Sequence, residues 1–546
     1  MELTQKSHTL LVTTSMGSPA QPSGGKLFGH FRKGSTMSAL SRLLVGIATS
    51  ALALGSASNS IAAAAPYQHV LLISIDGMHA LDLANYIAAN SDSTLTSLVH
   101  SGVVYENALT TIPSDSFPGL LAQVSGGSPK STGVFYDDSF DRTFFAPGSN
   151  CTGAPGAEVA FAENIDVDSA RPDGGGTPGS PMTQIDPKKL PMAVVAGKCT
   201  AIYPHAFPRV NNVFEIVKQH GGHTAWSDKH PAYEWLSGPS GTGLDDLFAL
   251  EQDSLIPGTK VKTTGSFKAE RDFDEARVKA VLNEMKGLDS TGSHQAPVPT
   301  LFGMNFQAVS VGQKLPKAGP GDARDLVGGY LDASGKPSSG LAQQLAYVDS
   351  ALGELVSALR ANNLYDGTLI IIASKHGQSP IDPATLQALD DDPYTKTPGY
   401  GFHIADDASL IWLKPETHAA NLHAAQDYLV KNMKALGIGK ILTPNALAAM
   451  YQDPSTDSRT PDFIIGVNPG VVYTSGSKIA EHGGFNFDDR SVALLVSNPH
   501  LQAQSITAVV QTTQVAPTIL KALGYEPNEL QAVRLEGTQE LPGLPF

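Results

Sequence analysis

The stretch that decides the fold reads Thr368-Leu-Ile-Ile-Ile-Ala-Ser-Lys-His-Gly377. Its run of β-branched and aliphatic residues is typical of a strand that is buried on both faces. The strand is followed by Lys375 and His376, two polar groups that are costly to bury without partners. A second stretch has the same form, because His69-Val-Leu-Leu-Ile-Ser-Ile-Asp76 is an apolar run that ends in a carboxylate. Ligands of open α/β sheets bind at the carboxyl ends of strands, so these polar groups are predicted to share one site if the two strands are neighbours.

Length and composition indicate a large folded protein rather than one that binds a nucleic-acid polymer. The chain has 546 residues, of which 41% are hydrophobic, and it carries a formal net charge of −15. A chain of this length can bury a large core, either as one α/β domain with insertions or as two domains. A surface that binds a nucleic-acid polymer needs clustered Lys and Arg, and the composition argues against one. A small anionic substrate is still permitted, since the charge of the site itself decides that.

The N-terminal region predicts export. A basic start from Met37 to Arg42 precedes an apolar run over 43–54, and alanines at 62–65 supply a small-residue cleavage site. This pattern predicts a signal peptide over residues 37–65, with an apolar run too short to span a bilayer. Residues 1–36 are interpreted as an upstream extension, and a retained interfacial anchor is the alternative. We expect a secreted or periplasmic protein without a membrane span after removal of the signal.

Export accounts for the two cysteines, Cys151 and Cys199. An even pair in an oxidising compartment predicts a disulfide, and two cysteines alone cannot complete a structural zinc site. The disulfide would close a loop of about fifty residues and stabilise the fold by about 4 kcal/mol in the chain-entropy model. Both cysteines lie in a proline- and glycine-rich stretch over residues 137–202, which is interpreted as an ordered surface insertion.

A third motif, Pro113-Ser-Asp-Ser116-Phe-Pro118, predicts the entrance of a helix. Pro118 suits the first turn, and the apolar residues that follow give the helix a buried face. Ser116 then lies where free N–H groups and the helix dipole favour an anion. Its hydroxyl is placed to attack a phosphoryl or acyl centre, and an ordinary N-cap serine is the alternative interpretation.

The rest of the chain alternates predicted strands and helices. The stretch 224–231 predicts a short strand that runs into a loop, and 300–309 predicts another strand. Apolar residues at spacings of three and four from Leu341 to Leu359 predict an amphipathic helix that leads into the opening strand, which gives a β-α-β unit with parallel strands. Residues 385–475 contain strands and helices of their own and are predicted to form a smaller subdomain.

Together these motifs resemble the type I phosphodiesterase and nucleotide pyrophosphatase family of the alkaline phosphatase superfamily, from about Gln68 to Gly543. The resemblance is carried by Ile75-Asp76-Gly77, by Pro113-Ser-Asp-Ser116-Phe-Pro118 with Ser131-Thr-Gly133, by His376-Gly377 and by His482-Gly483. It implies an α/β fold with an alkaline-phosphatase-like, mainly parallel central sheet flanked by helices. Residues 66–546 would form a single hydrolase domain that includes the loop-rich insertion and a smaller α+β subdomain.

The resemblance also implies hydrolysis of phosphodiester, pyrophosphate or phosphomonoester bonds with two zinc ions. One ion would be held by Asp76, by the nucleophile Ser116 and by an Asp-His pair. The other would take an Asp-x-x-x-His segment and His482. Such ions depress the pKa of the hydroxyl and stabilise the in-line displacement, which passes through a covalent phospho-enzyme.

Three positions depart from that pattern. The Asp-His pair is Lys375-His376 here, and the Asp-x-x-x-His segment aligns with Val309 to Gln313, so both of its ligands are replaced. An ammonium repels a cation, valine offers no donor atom, and neutral glutamine is a poor zinc ligand. We therefore expect no two-zinc site, and either one divalent cation held by Asp76, Ser116 and His376 or none.

Lys375 offers an electrostatic substitute for the lost metal. Its ammonium, paired with Asp76, would favour the Ser116 alkoxide and stabilise a developing oxyanion. A lysine beside a serine is also found in Ser-Lys nucleophilic pairs, with His376 or His482 available as the general acid–base. The alternative is that Lys375 is only a structural charge.

The sequence thus predicts an exported hydrolase of phosphate esters or diesters that acts on a small molecule. Its catalytic set would be Ser116, Lys375, His376 and His482, and the residues assigned to substrate binding are Gly119, Asn305 and Gln313. A metal-independent serine esterase and a non-catalytic anion-binding protein on the same fold are the alternatives.

Overall fold

The computed structural model describes residues 67–161 and 165–546, so the predicted signal peptide and upstream extension lie outside the described residues. Within these ranges the strands are β1 (His69–Ile75), β2 (Gly102–Leu109), β3 (Asp138–Asp141), β4 (Ala157–Ala160), β5 (Met192–Val195), β6 (Lys198–Ala201), β7 (Ala225–Lys229), β8 (Asp246–Leu250), β9 (Leu301–Phe306), β10 (Thr368–Ala373), β11 (Gln387–Leu389), β12 (Tyr400–Ala405), β13 (Ala408–Leu413), β14 (Ile438–Leu442), β15 (Phe463–Val467), β16 (Val471–Tyr473), β17 (Leu494–Ser497) and β18 (Gln504–Gln511).

The α-helices in the same ranges are α1 (Ala80–Ala89), α2 (Thr94–Val99), α3 (Ser116–Ser125), α4 (Pro129–Thr132), α5 (Val213–Gln219), α6 (Phe267–Glu284), α7 (Ala308–Lys314), α8 (Ser339–Ala361), α9 (His418–Asn432), α10 (Pro444–Met450), α11 (Phe487–Arg490), α12 (Val515–Ala522) and α13 (Gln531–Glu536). None of them combines the length and the apolar character needed to cross a bilayer.

The described residues form a central sheet of eight strands in the order β18-β2-β17-β10-β1-β9-β7-β8. Its pairs are parallel except where β17 lies antiparallel to both β10 and β2. Strand β1 pairs with β10 on one side and with β9 on the other. The two strands that end in polar groups are therefore neighbours, as the predicted shared site requires. The predicted β-α-β unit is present, although β1 lies between β9 and β10.

The central sheet is buried on both faces because alternate residues of its strands enter two separate cores. Leu72 and Ile371 belong to the cluster under α3, α5 and α12, and Ile73 and Ile372 belong to the cluster under α1, α2, α6 and α8. Each aliphatic side chain that is fully buried in this way contributes about 1.5–3 kcal/mol to the fold. The opening stretch is a strand for this reason, and the mainly parallel α/β fold is confirmed.

Smaller sheets complete the molecule. In the predicted insertion, β3 pairs with β4 and β5 pairs with β6. The predicted disulfide is confirmed, since Cys151 and Cys199 are bonded with a Cα–Cα distance of 5.7 Å. A four-stranded sheet in the order β12-β13-β15-β14 lies within the stretch for which the sequence predicts a subdomain, and its apolar core includes α9.

The predicted strand over 300–309 is too long, because β9 ends at Phe306 and α7 begins at Ala308. The Asp274 carboxylate accepts hydrogen bonds from the backbone N–H groups of Gln307, at 3.1 Å, and of Ala308, at 2.9 Å. These groups are the free donors of a helix N-terminus, and an acceptor there stabilises the helix. The acceptor comes from α6, so nothing within 300–309 indicated where the strand would stop.

Candidate active site

The carboxyl ends of four parallel strands meet at one place. Asp76 follows β1, Lys375 and His376 follow β10, Lys229 ends β7, and Gln307 follows β9. The sheet order places these strands side by side. The polar groups that the sequence singled out at the ends of β1 and β10 are therefore in contact, and two further strands add to them.

Two glycines allow the chain segments of the site to approach one another. Gly77 has a φ of +80°, and its N–H donates to the carbonyl of His376 at 3.1 Å. A Cβ atom at Gly119 would lie 2.1 Å from the Lys375 carbonyl oxygen. A side chain at this position would collide with that oxygen. Glycine therefore lets the first turn of α3 pack directly on the Lys375–His376 turn. This contact brings Ser116 to His376.

Ser116 and His376 have the geometry of a nucleophile and its base. Ser116 Oγ lies 3.2 Å from His376 Nε2, and His376 Nδ1 lies 2.9 Å from the carbonyl oxygen of Gly377. A carbonyl only accepts, so Nδ1 carries the hydrogen and Nε2 is left to accept the Ser116 proton. Burial lowers the pKa of His376, although the attraction of Asp76 opposes this shift. The lowered pKa favours the neutral imidazole that a base requires.

Lys229 also contacts Ser116, and sequence reasoning missed it. Its Nζ lies 3.2 Å from Ser116 Oγ and 3.3 Å from Asp76 Oδ2. Burial alone would lower the pKa of Lys229, but the attraction of Asp76 and Asp228 raises it above its ordinary value. Lys229 is therefore an ammonium that donates to the serine oxygen. The signal was present in the sequence, because Lys229 is a polar residue at the end of a predicted strand, as Asp76 is.

Lys375 occupies a different position in the cluster. It is 0% exposed, and its Nζ donates to Tyr233 Oη at 2.9 Å. The same nitrogen lies 3.4 Å from Asp76 Oδ2 and 3.6 Å from Asp228 Oδ1. Burial lowers the pKa of Lys375, while the attraction of Asp228 and Asp76 opposes that shift. Lys375 thus lies behind Asp76, and Lys229 lies beside Ser116.

The Asp76 carboxylate joins these groups. Besides the two lysines, its Oδ2 accepts from Asn305 Nδ2 at 3.2 Å and from Gln307 Nε2. Burial alone would raise the pKa of Asp76, but Lys375 and Lys229 hold it well below its usual range. Asp76 is therefore a buried anion whose Oδ2 is surrounded by donors, which is the arrangement that a buried charge requires.

His482 lies against His376, with 3.9 Å between the ring centroids. Its Nδ1 is 3.4 Å from Asp115 Oδ2, and burial holds the pKa of His482 well below its ordinary value. Burial also raises the pKa of Asp115 to about 7, although backbone N–H groups of α3 act against that shift. The site therefore contains a second neutral imidazole next to the first, and this second ring lines the adjoining cavity.

A cavity of about 430 Å³ opens onto Ser116, Lys229, Gln307 and His482. Its lining also includes Lys262, Lys314 and Lys478, and the carboxylates of Asp137 and Asp253. Lys314 pairs with Glu481 at 2.8 Å and Lys262 pairs with Asp253 at 2.6 Å. The lysines outnumber the aspartates in this lining, which makes the cavity suitable for an anionic molecule although the chain as a whole is acidic.

The residues that the sequence assigned to substrate binding do not line this cavity. Gly119 packs on the Lys375 carbonyl, and Asn305 donates to Asp76. Gln313 donates to the carbonyl of Gly77 at 2.8 Å and to Tyr330 Oη at 2.7 Å, away from the serine. These residues support the site from behind. Gln307, which the sequence did not single out, donates to Asp76 from the turn between β9 and α7.

The residues present do not fit a zinc ion. An ion bound to Ser116 at the usual distance of about 2.1 Å would lie within roughly 5 Å of Lys229 Nζ. At that separation a divalent ion and an ammonium repel each other by about 7 kcal/mol for an effective dielectric constant of about 20. The Lys375 ammonium beside Asp76 would add to this repulsion. Asp76 Oδ1 has no hydrogen-bond partner among the residues that the structure describes, but one such oxygen does not offset two adjacent cations.

The second implied zinc position has lost the ligands that an Asp-x-x-x-His segment would supply. Val309 is 0% exposed in the core under α7, and Gln313 is hydrogen-bonded elsewhere. His482 is left with Asp115, whose Oδ2 faces its Nδ1. Within the described ranges, three side chains with ligand atoms close enough to share an ion occur at Asp390, Asp391 and Asp392, outside this site.

Comparisons with known proteins agree with this architecture. The sequence profile of the family described as type I phosphodiesterase / nucleotide pyrophosphatase matches residues 70–488. Murine ectonucleotide pyrophosphatase / phosphodiesterase 5 is similar in structure, with 14% identity and a TM-score of 0.51, over 84% of this chain and 96% of that one. The wild-type alkaline phosphatase PafA is 11% identical with a TM-score of 0.56, again over 84% and 96%. No protein of curated function matches the chain. At such identities the solved structures show the fold alone.

Proposed function

Because the chain belongs to the type I phosphodiesterase / nucleotide pyrophosphatase family, it is a hydrolase that acts on phosphoester bonds, and we propose that Ser116 is its nucleophile and His376 its general base. One observation carries this proposal. Ser116 Oγ lies 3.2 Å from His376 Nε2, and the Gly377 carbonyl accepts from Nδ1 of the same ring. The nucleophile and the acceptor of its proton are thus held together before the substrate arrives.

The reaction would proceed in two displacements. Ser116 Oγ forms a bond to phosphorus as its proton moves to His376 Nε2, and the bond between phosphorus and the leaving oxygen breaks. The leaving oxygen takes that proton from His376, directly or through His482. Water then attacks the phosphoserine, gives one proton to His376, and releases phosphate or a phosphomonoester. His376 returns the proton to Ser116, so that the enzyme is regenerated.

The cavity supports a phosphate ester as the substrate. It opens onto the Ser116–His376 pair, and several of the side chains in its lining are lysines. A phosphoryl group carries negative charge before and during the reaction, so cationic side chains stabilise both states. We also propose that the enzyme is exported, which the signal-peptide pattern over 37–65 and the Cys151–Cys199 disulfide support.

A metal-independent serine esterase is the second candidate. The fixed tautomer of His376 favours it, because a serine beside such a histidine also performs acyl transfer. The two candidates differ in the centre that is attacked. Activity on carboxylic esters that exceeds activity on phosphate esters would support the esterase.

The test compares Ser116→Ala with Ser125→Ala, since both serines are buried in α3 and Ser125 lies at the far end of the helix. Substrates are p-nitrophenyl phosphate, bis(p-nitrophenyl) phosphate and p-nitrophenyl acetate. We expect Ser116→Ala to reduce kcat/KM on the phosphate substrates by at least about 10³-fold, as removal of a nucleophile does. Ser125→Ala should retain activity.

Mass spectrometry of the acid-quenched wild-type enzyme should locate a phosphoryl group on the peptide that contains Ser116. Equal activity of Ser116→Ala and Ser125→Ala would contradict the assignment of the nucleophile. Inactivity of the wild type on every substrate would favour a non-catalytic anion-binding protein.

A further inference from the structure

We propose that the ammonium groups of Lys229 and Lys375 take the place of a metal ion in this site, and that phosphoester hydrolysis here requires no metal. The inference rests on the proposed function. It adds Lys229 to the reaction as a catalytic residue that contacts the nucleophile. It assigns Lys375 a positioning role, because its contacts are with Asp76, Asp228 and Tyr233.

Lys229 contacts Ser116 and Asp76, the two groups that a metal ion at this position would contact. Its Nζ is 3.2 Å from Ser116 Oγ and 3.3 Å from Asp76 Oδ2. A positive charge beside the serine oxygen stabilises the negative charge that develops as the proton moves to His376. The side chain is 12% exposed and lines the cavity, so the same ammonium is accessible to an oxygen of the phosphoryl group. These are the tasks that a metal ion performs in phosphoester hydrolysis.

Lys375 positions the Asp76 carboxylate, which in turn pairs with Lys229. Its buried Nζ is fixed by Tyr233 Oη at 2.9 Å and lies between Asp76 and Asp228. With Lys229 included, two ammonium groups face two carboxylates, so the buried charges of this group balance. Asp76 then acts as the orienting partner of Lys229, since its Oδ2 accepts hydrogen bonds from Lys229 and two amides and forms an ion pair with Lys375.

The bonds and protons of the reaction balance without a further cofactor. Ser116 loses a proton to His376, one phosphorus–oxygen bond forms, and the bond to the leaving oxygen breaks as that oxygen gains the proton. Lys229 keeps its protons throughout and donates hydrogen bonds. No electron is transferred, so neither an oxidant nor a reductant is involved.

The first measurement is the metal content and chelator sensitivity of the purified, folded protein. We expect less than one zinc per ten chains after dialysis, and activity on bis(p-nitrophenyl) phosphate that changes less than twofold with EDTA or with added zinc. Loss of activity on chelation with recovery by zinc would overturn the inference and leave the serine nucleophile in place. Inactivity under both conditions would overturn the proposed function and this inference with it.

The second measurement asks whether an ammonium is required at position 229. Lys229→Met keeps the length of the side chain and removes its charge, and we expect kcat to fall at least 100-fold. Lys218→Met is the matched control, because Lys218 pairs with Asp245 outside the cavity. We expect the control to keep the wild-type kcat. An equal kcat in Lys229→Met and the control would overturn the role of Lys229.

Chemical rescue separates this role from a structural one. The sequence contains two cysteines, and both are in the disulfide. In a Lys229→Cys variant, 2-bromoethylamine therefore alkylates the single new thiol and creates an ammonium at nearly the length of lysine. We expect the alkylated variant to regain at least tenfold in kcat, whereas iodoacetamide, which adds a neutral group, restores none. Rescue by both reagents or by neither would contradict a catalytic charge.

Discussion

Ser116 Oγ has polar neighbours with different tasks in the proposed mechanism. There, His376 Nε2 accepts its proton, and Lys229 Nζ donates to the oxygen that is left behind. The residue that the sequence motif singled out, Lys375, lies further from Ser116, where its ammonium faces the buried carboxylates of Asp76 and Asp228.

The placement of Lys375 predicts the effect of Tyr233→Phe. This change removes the shortest hydrogen bond of a buried ammonium, and hydrogen bonds to charged groups contribute about 1.5–3 kcal/mol. We expect the free energy of unfolding in urea to fall by about that amount, and kcat to fall several-fold because Asp76 and Lys229 lose their fixed positions.

The control for this prediction is Tyr394→Phe. Tyr394 is also buried, and its hydroxyl lies 2.6 Å from that of Tyr473 at the end of β16, away from the candidate site. We expect it to destabilise the protein and leave kcat unchanged. If Tyr233→Phe behaves in the same way, Lys375 is only a structural charge.

At the scale of elements, the site depends on how closely α3 approaches the end of β10. Asp115 caps the helix by accepting from the N–H of Phe117 at 3.2 Å, and Gly119 allows contact with the Lys375 carbonyl. The helix is apolar along its buried side and packs on one face of the central sheet. Its position therefore couples the packing of the core to the distance between Ser116 and His376.

Gly119→Ala tests this coupling. The added Cβ would meet backbone at 2.1 Å, which cannot move as a flexible side chain does, so the helix must shift. A displacement of about 1 Å at a nucleophile lowers the rate by about 100-fold, and we expect a loss of that order in kcat/KM together with a lower Tm.

Gly353→Ala on α8 is the matched control for a helical glycine. Its Cβ would lie 2.9 Å from the side-chain oxygen of Thr94, which can rotate away. Helix propensity then favours alanine by up to about 1 kcal/mol. Similar kinetics for the two variants would show that the close contact at Gly119 has no role in positioning Ser116.

For the whole molecule, the net charge is negative, but the candidate active site has a local excess of lysines. The chain carries −15, yet the cavity at the active site is lined by lysines from several segments, Lys229, Lys262, Lys314 and Lys478. Local positive charge attracts an anionic substrate, and this attraction weakens as the ionic strength rises. No composition measure could have revealed it, because these lysines come together only in the folded chain.

Buried ionisable groups also predict how stability depends on pH. Burial, with repulsion from Glu251, raises the pKa of Asp166 to about 8, and burial with repulsion from Asp274 raises that of Glu270 to about 8. The folded protein therefore holds protons that the unfolded chain releases above pH 4. Stability should fall as pH rises from about 5 to 8.5, because the unfolded state then binds fewer protons than the folded state.

His230 acts in the same direction. Burial opposes the shift, but the attraction of Glu251 raises the pKa of His230 to about 9, so its contribution is complete below pH 6.5 and is lost as pH rises toward 9. On the acid side, burial is outweighed by Lys314 and Lys478, which lower the pKa of Glu481 to about 2. That stability is present above about pH 4.5 and is lost as pH falls toward 2.

The measurement is Tm by differential scanning fluorimetry at constant ionic strength, and we expect a maximum between about pH 4 and 6. Asp166→Asn imitates the protonated acid and should flatten part of the fall between pH 6 and 8.5. A wild-type Tm that rises steadily to pH 8.5 would contradict the predicted direction.

The sequence by itself determined the elements and the site's main anchors. Apolar runs with polar ends predicted β1 and β10, and apolar residues at spacings of three and four predicted α8. Both predictions were possible because the local pattern of apolar residues reflects which faces of an element are buried. The motifs placed Asp76, Ser116 and His376 together, and the structure brings these three into contact. The number of cysteines and the predicted export were enough for the disulfide.

Only the tertiary structure decided which side chains touch Ser116 and which stand behind it. Lys229 is 113 residues from Ser116, and the Asp274 cap that ends β9 at Phe306 is more than thirty residues away from it. Contacts across such separations depend on sheet order and on the approach of helices to strands. Local pattern carries no information on either, so the contact of Lys229 with Ser116 and that of Gln307 with Asp76 became visible only in the fold.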